Sequence, residues 1–134
     1  MNVNRKVGNS FEKDLCHKLS EYGFWAHNLA QNSQGQPFDV IAARNGTTYV
    51  IDCKVCDSDK FRLNRIEENQ RSAMTLWKQT GNGDGWFAIR IANGNIYFVP
   101  LRKMEEAMLT QTVLYDFEIK IMGMFFDQWV KSCR

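Results

Sequence analysis

Asn45-Gly46 separates two runs of apolar and β-branched residues, 38–43 and 47–54. A two-residue hairpin of type I′ needs positive φ at both central positions. Asn and Gly reach that conformation at least cost, so this dipeptide is the strongest short-range hairpin signal. The two runs are therefore predicted to lie side by side and antiparallel. Along a strand, successive side chains alternate between faces. Tyr49, Ile51 and Cys53 then point one way, and Val50, Asp52 and Lys54 the other. Asp39 opens the partner strand six residues before Asn45, and Asp52 follows Gly46 by six. Asp39, Asp52 and Lys54 are thus expected to converge on one patch.

The remaining pattern frames this hairpin. Residues 8–22 read as a helix, with Asn9 or Ser10 as its cap, Gly23 past its end, and Phe11, Leu15, Leu19 and Tyr22 as its apolar stripe. A strand is expected over 24–29 and a polar loop over 30–37. After a second loop holding Asp57, Ser58 and Asp59, residues 65–79 read as a helix with Ile66, Ala73, Leu76 and Trp77 on one face. Residues 86–91 and 95–99 form a second hairpin across Asn93-Gly94, and Pro100 opens a third helix running to about Leu109. In the tail, 113–121 reads as a strand and 125–131 as a short helix. The order α-β-β-β-α-β-β-α predicts a single α/β (α+β) domain over 1–134, a mixed sheet between helices.

Composition excludes several classes. Apolar residues make up 44% and charged residues 24%, which fits a packed globular chain rather than a disordered one. No apolar run approaches the roughly 20 residues of a membrane helix, and Met1 to Lys6 lead into no secretory core. Cys16, Cys53, Cys56 and Cys133 fit no disulfide framework, so a reducing cytoplasm is the expected compartment. The net charge of +2 neither demands nor excludes nucleic acid, because acidic residues in a metal site would mask local basic patches. Such patches occur at Arg5-Lys6, at Lys60, Arg62 and Arg65, and at Arg102-Lys103. Each alone is more often a solvated face.

Two adjacent carboxylates repel unless a proton or cation intervenes. A hard divalent ion such as Mg²⁺ takes oxygen donors and few protein groups, leaving room for water and phosphate oxygens. It can activate water and polarise a phosphodiester, while a neighbouring lysine offsets charge at phosphorus. The bare Asp-x-Lys pattern is more often a surface salt bridge. Two further residues change the balance. Glu12 lies at the edge of the first helix's apolar stripe, positioned to point at the sheet. Gln70 lies within the stripe of the second helix, where an amide needs a partner.

Pro37-Phe38-Asp39, twelve residues, then Asp52-Cys53-Lys54 resembles the PD-(D/E)xK nuclease signature, with one residue inserted after the proline and Asp in place of the commoner Glu. Gly8-Asn9-Ser10-Phe11-Glu12 and the segment Phe61 to Gln70 narrow the likeness to Holliday junction resolvases of the RecU and archaeal types. The resemblance covers roughly 5–105. It implies a restriction-endonuclease-like sheet flanked by helices, Mg²⁺ or Mn²⁺, a homodimer, and paired nicks across four-way DNA junctions. It implies a catalytic set of Glu12, Asp39, Asp52, Lys54 and Gln70, with the three acids as metal ligands. Ser33 would belong to a serine-bearing loop at the DNA, alongside Arg5, Lys6, Lys60, Arg62 and Arg65. Three alternatives stay open: a nuclease for other structured or duplex DNA, a non-cleaving DNA-binding module, and a structural domain in which Asp39 and Asp52 lie apart.

Other features read more simply. Cys53-x-x-Cys56 lacks a second pair, so unlinked structural thiols are expected. His17 and His27 have no predicted place at the patch. The tryptophans are expected to pack in the core. Phe61, in a loop between Lys60 and Arg62, is the aromatic expected to meet DNA. The apolar tail at Met122, Met124, Phe125 and Phe126 is a candidate dimer face.

Overall fold

The computed structural model describes residues 3–29 and 37–133, with side chains from residue 10 onward. The elements in chain order are α1 (Val3–Glu21), β1 (Trp25–Asn28), β2 (Val40–Arg44), β3 (Thr47–Val55), β4 (Lys60–Arg62), α2 (Glu68–Gln79), β5 (Trp86–Arg90), β6 (Ile96–Pro100), α3 (Leu101–Met108), β7 (Val113–Tyr115), α4 (Asp116–Met122), β8 (Met124–Phe125) and α5 (Phe126–Ser132). The main sheet runs β1-β2-β3-β5-β6-β8. β3 and β5 pair in parallel, while the other neighbours in that sheet are antiparallel. β4 and β7 form a separate two-stranded sheet. The mixed sheet between helices is as the sequence predicts.

The hairpin β2–β3 forms as its turn residues require. Asn45 and Gly46 take φ of 52° and 80°, both left-handed. In the second hairpin, of Asn93-Gly94, only Gly94 is left-handed, at 92°. The resulting register sets Val40 opposite Ile51. Asp39 and Asp52 therefore fall on the next row, at the open end of the ladder.

Two hydrophobic cores lie on opposite faces of the main sheet. One joins Phe11, Leu15 and Leu19 of α1 to Val40, Ile51, Phe98 and Trp129. The other joins Met74 of α2 to Phe87, Ile89, Val99 and Met104, and reaches Phe61 and Leu114 of the small sheet. Ile51 and Cys53 belong to the α1 side, so Asp52 and Lys54 face the α2 side.

Several expectations are corrected. α1 begins at Val3, so Asn9 and Ser10 lie inside it and do not cap it; Gly8 is tolerated within the helix at a cost of about 1 kcal/mol. Tyr22 leaves the apolar stripe because the helix ends there. The predicted 65–79 helix splits into a 3₁₀ turn at Leu63–Arg65 and α2 from Glu68. On α2 it is Met74 that is buried, while Leu76 is exposed. The tail strand 113–121 is shortened to β7, because Glu118 Oε1 accepts the Tyr115 N–H at 3.1 Å and starts α4. Trp25, expected in the core, is 63% exposed. Phe126 is buried within its own chain and is removed from the candidate dimer face; Phe117 and Ile121 of α4 are exposed instead.

Candidate active site

Asp39 is fixed through its backbone before its side chain is considered. Its N–H donates to Ile51 O at 3.0 Å, and its carbonyl accepts from Leu29 N at 2.8 Å. Held between β1 and β3, it turns its carboxylate toward the ladder, where Oδ2 accepts the Cys53 N–H at 2.7 Å. That is the length of a charge-assisted bond.

Asp52 stands beside it, 1% exposed. Its Oδ1 accepts from Gln70 Nε2 at 2.8 Å. Its Oδ2 lies 3.1 Å from Lys54 Nζ in an ion pair, yet takes no hydrogen bond of good geometry. Lys54 is itself largely buried and sits 3.4 Å from Gln70 Oε1. Burial, then the charge of Asp39, push the Asp52 carboxyl well above the usual carboxylate range, with Lys54 pulling the other way.

Gln70 is oriented by the start of its own helix. The Glu67 N–H donates to Gln70 Oε1 at 3.2 Å, one half of a capping box in which the Glu67 side chain accepts the Gln70 N–H. A main-chain donor thus fixes which end of the amide is oxygen, and the NH₂ end must face Asp52. The signal was present in the sequence as Glu67-x-x-Gln70 ahead of an apolar run. Sequence reasoning placed Gln70 at the site and missed Glu67 as the residue that aims it.

Glu12 arrives from α1 and is buried. Its pKa is raised to about 7, first by burial, then by the charge of Asp39 and a hydrogen bond with it. Cys16 and Cys53 lie close to these acids: burial, followed by Glu12, pushes Cys16 up to about 11, and burial followed by Asp39 pushes Cys53 well above the thiol range. Both are poor thiolates and poor soft-metal ligands, and all four cysteines are free.

The acids, the lysine and the amide are therefore gathered in one place, and the alternative that Asp39 and Asp52 lie apart is excluded. The donor set suits a hard cation. It is all oxygen, it carries more negative charge than one lysine offsets, and its buried Asp52 Oδ2 is met by the Lys54 ammonium but by no hydrogen bond of good geometry. Among the described residues, no three Asp, Glu, His or Cys side chains form a ready cage. An ion here would draw its remaining ligands from water and phosphate, as Mg²⁺ commonly does.

The surrounding basic residues divide. Lys60, Arg62 and Arg65 are exposed. Arg65 bonds Val55 O at 2.8 Å, next to Lys54 in the chain, and lies 5.1 Å from the Phe61 ring centroid. Lys60 lies over Tyr115. Phe61 itself is 0% exposed, because β4 pairs with β7 and turns its ring into the α2-side core. It is a core residue, and its expected contact with DNA is withdrawn. The side chains of Arg5 and Lys6, in the first turns of α1, and the whole of Ser33 lie outside the described residues. His17 pairs with Glu21 on the far side of α1.

Known proteins resemble this chain in sequence and in fold. The sequence profile of the archaeal Holliday junction resolvase (Hjc) family matches residues 2–130. The crossover junction endodeoxyribonuclease Hjc of Methanocaldococcus jannaschii is 26% identical over 94 residues, 70% of this chain. The matched region spans 65% of that relative's length. The structure of Archaeoglobus fulgidus Hjc, a Holliday junction resolvase from an archaeal hyperthermophile, superposes with a TM-score of 0.70 at 20% identity, covering 93% of this chain and 96% of that one. That likeness shows the fold. With the family profile spanning nearly the whole sequence, the chain belongs to the archaeal Holliday junction resolvase family, within the PD-(D/E)xK nucleases.

Proposed function

We propose that this chain, as one nuclease domain, hydrolyses phosphodiester bonds in four-way DNA junctions, cutting in pairs as a homodimer with Mg²⁺ or Mn²⁺. The observation that carries this reading is the buried Asp52 carboxylate beside Asp39, with Gln70 on one oxygen and the Lys54 ammonium on the other. A two-fold dimer suits a substrate that needs two symmetric cuts. The four free thiols suit a reducing cytoplasm.

Each residue then has a task. Asp39 and Asp52 are the primary donors for the ion, and Glu12 supports them through its hydrogen bond with Asp39. When bound, the ion polarises the phosphodiester and lowers the pKa of water. Lys54 offsets charge on the phosphate and orients the attacking water. Gln70 fixes both Asp52 and Lys54, so neither must reorganise as charge develops. The water oxygen bonds to phosphorus, the bond from phosphorus to one deoxyribose oxygen breaks, and the proton given up by the water is balanced by the one the leaving oxygen takes. Lys60, Arg62 and Arg65 lie exposed on the segment between β3 and α2, where they meet backbone phosphates. Arg5, Lys6 and Ser33 are assigned the same role on sequence grounds.

The test is cleavage of a labelled four-way junction beside linear duplex of the same arms, with Mg²⁺ or EDTA, using wild type and Asp39→Ala. Paired nicks confined to the junction, and lost in EDTA and in the variant, are expected. The variant should lose at least about 100-fold in rate. Equal cutting of both substrates would leave a nuclease without junction preference. Tight junction binding with no cutting in Mg²⁺ or Mn²⁺ would overturn the enzymatic reading.

A further inference from the structure

Trp25 and His27 stand together on the catalytic face of the sheet, and the site described above does not use them. Ala26, between them, packs against the α1-side core. The side chains on either side of it must therefore point to the opposite face, which is that of Asp52 and Lys54. There the two rings are stacked, with centroids 5.9 Å apart and planes 17° from parallel. Trp25 is 63% exposed and His27 is exposed with it. Their neighbours across the ladder, Ala43 and Ile41, are shorter, so the aromatic pair rises above its surroundings.

The same strand leads directly to the catalytic acid. The residue after β1, Leu29, donates its N–H to Asp39 O at 2.8 Å. The row of Trp25 and the row of Asp39 are four residues apart along β1. That is about 13 Å at the usual strand rise, or about four base-pair steps of one DNA strand. A strand whose phosphate lies at Asp39 and Asp52 thus brings a base within reach of Trp25.

We propose that Trp25 and His27 form a stacking subsite for an unpaired or end-exposed nucleobase of the DNA substrate, flanking the scissile phosphate. The inference rests on reading the chain as a nuclease for branched DNA, and it adds the feature of that substrate which the carboxylates cannot sense. A continuous duplex hides its base faces, whereas a branch point exposes them. Every base has a π-face, so stacking recognises this exposure without reading sequence. His27 braces the indole while most of its surface stays exposed, so little side-chain freedom is lost on binding.

The experiment uses the full chain in EDTA, with a four-way junction carrying 2-aminopurine at the branch point and a linear duplex of the same arms. Trp25→Ala should weaken junction binding about 10-fold and abolish the quenching of 2-aminopurine, with duplex binding unchanged. Trp25→Phe, which keeps a ring, should retain most of the affinity and the quenching. His27→Ala should give an intermediate loss. Unchanged junction binding and quenching in Trp25→Ala would overturn the subsite while leaving the nuclease reading intact. So would an equal loss on junction and duplex, or a change in self-association without any change in DNA binding. Wild type that binds no junction would overturn both together.

Discussion

At the residue scale, the site is built by removing water from acids and then returning only part of what water supplied. Asp52 receives an amide on one oxygen and, on the other, an ammonium whose contact is an ion pair without good hydrogen-bond geometry. Glu12 is buried too, and burial followed by the charge of Asp39 raises its pKa to about 7. Its sign of linkage is definite. Below the ordinary carboxyl pKa near 4.5 the group is protonated folded and unfolded alike, and contributes nothing adverse. Between there and about 7 the unfolded chain releases the proton first, so stability falls as pH rises. Metal-free protein should therefore lose roughly 1–3 kcal/mol from Glu12 between pH 4.5 and 8. Glu12→Gln should remove that slope in urea unfolding, and identical slopes for the two proteins would show that Glu12 is not desolvated beside Asp39. Asp39, Asp52 and Lys54 were legible in the sequence because period-two alternation and one turn fix them. The error over Phe61 has an equally local cause: flanking charges suggest a loop, whereas the ring follows the alternation of a short strand that only its distant partner β7 reveals.

At the scale of elements, α2 matters because it carries Gln70 to Asp52, and its seat is set by a glycine. A Cβ at Gly85 would meet the buried Met74 side chain, with Sδ at 2.7 Å and Cγ closer still. Gly85→Ala should cost about 1–3 kcal/mol by overpacking. It should also shift α2 enough to reduce cleavage. Gly83→Ala, two residues earlier, meets nothing within 4 Å and has no left-handed φ, so it should be neutral or slightly stabilising. Thermal melts of the pair check this, and equal Tm values would show that α2 is not seated on Gly85. Element type was readable wherever periodicity ran long, as in α1 and β3. It failed in the tail, where β7, α4, β8 and α5 are each too short to express a period, and their identities rest on caps and tertiary pairing.

At the scale of the molecule, Arg44 ties the ends of the domain together. Its guanidinium donates to Tyr22 O at the end of α1, and to Val130 O and Cys133 O at the end of α5, while lying over Phe24. These carbonyls lie at the C-terminal end of α5, where the helix dipole is negative and a cation suits them. Arg44→Met should cost about 2–4 kcal/mol. It should also release the last helix to proteolysis before the rest unfolds; unchanged Tm and digestion would show the clamp to be dispensable. No sequence pattern could have announced a contact between a hairpin and the last helix, because nothing local distinguishes Arg44 from a solvated arginine. The parallel pairing of β3 with β5 sets Asp52 opposite Phe87, and this has a consequence in time. On the ribosome both acids emerge with their hairpin, well before Gln70, and before the strand that completes the sheet around them. Until then the acids stay in open water, where each ionises freely and no amide aims it. Parallel pairs close slowly, since a long crossover must be made first. The candidate site is therefore assembled only once β5 and the crossover before it have been made, well after the acids that define it have left the ribosome.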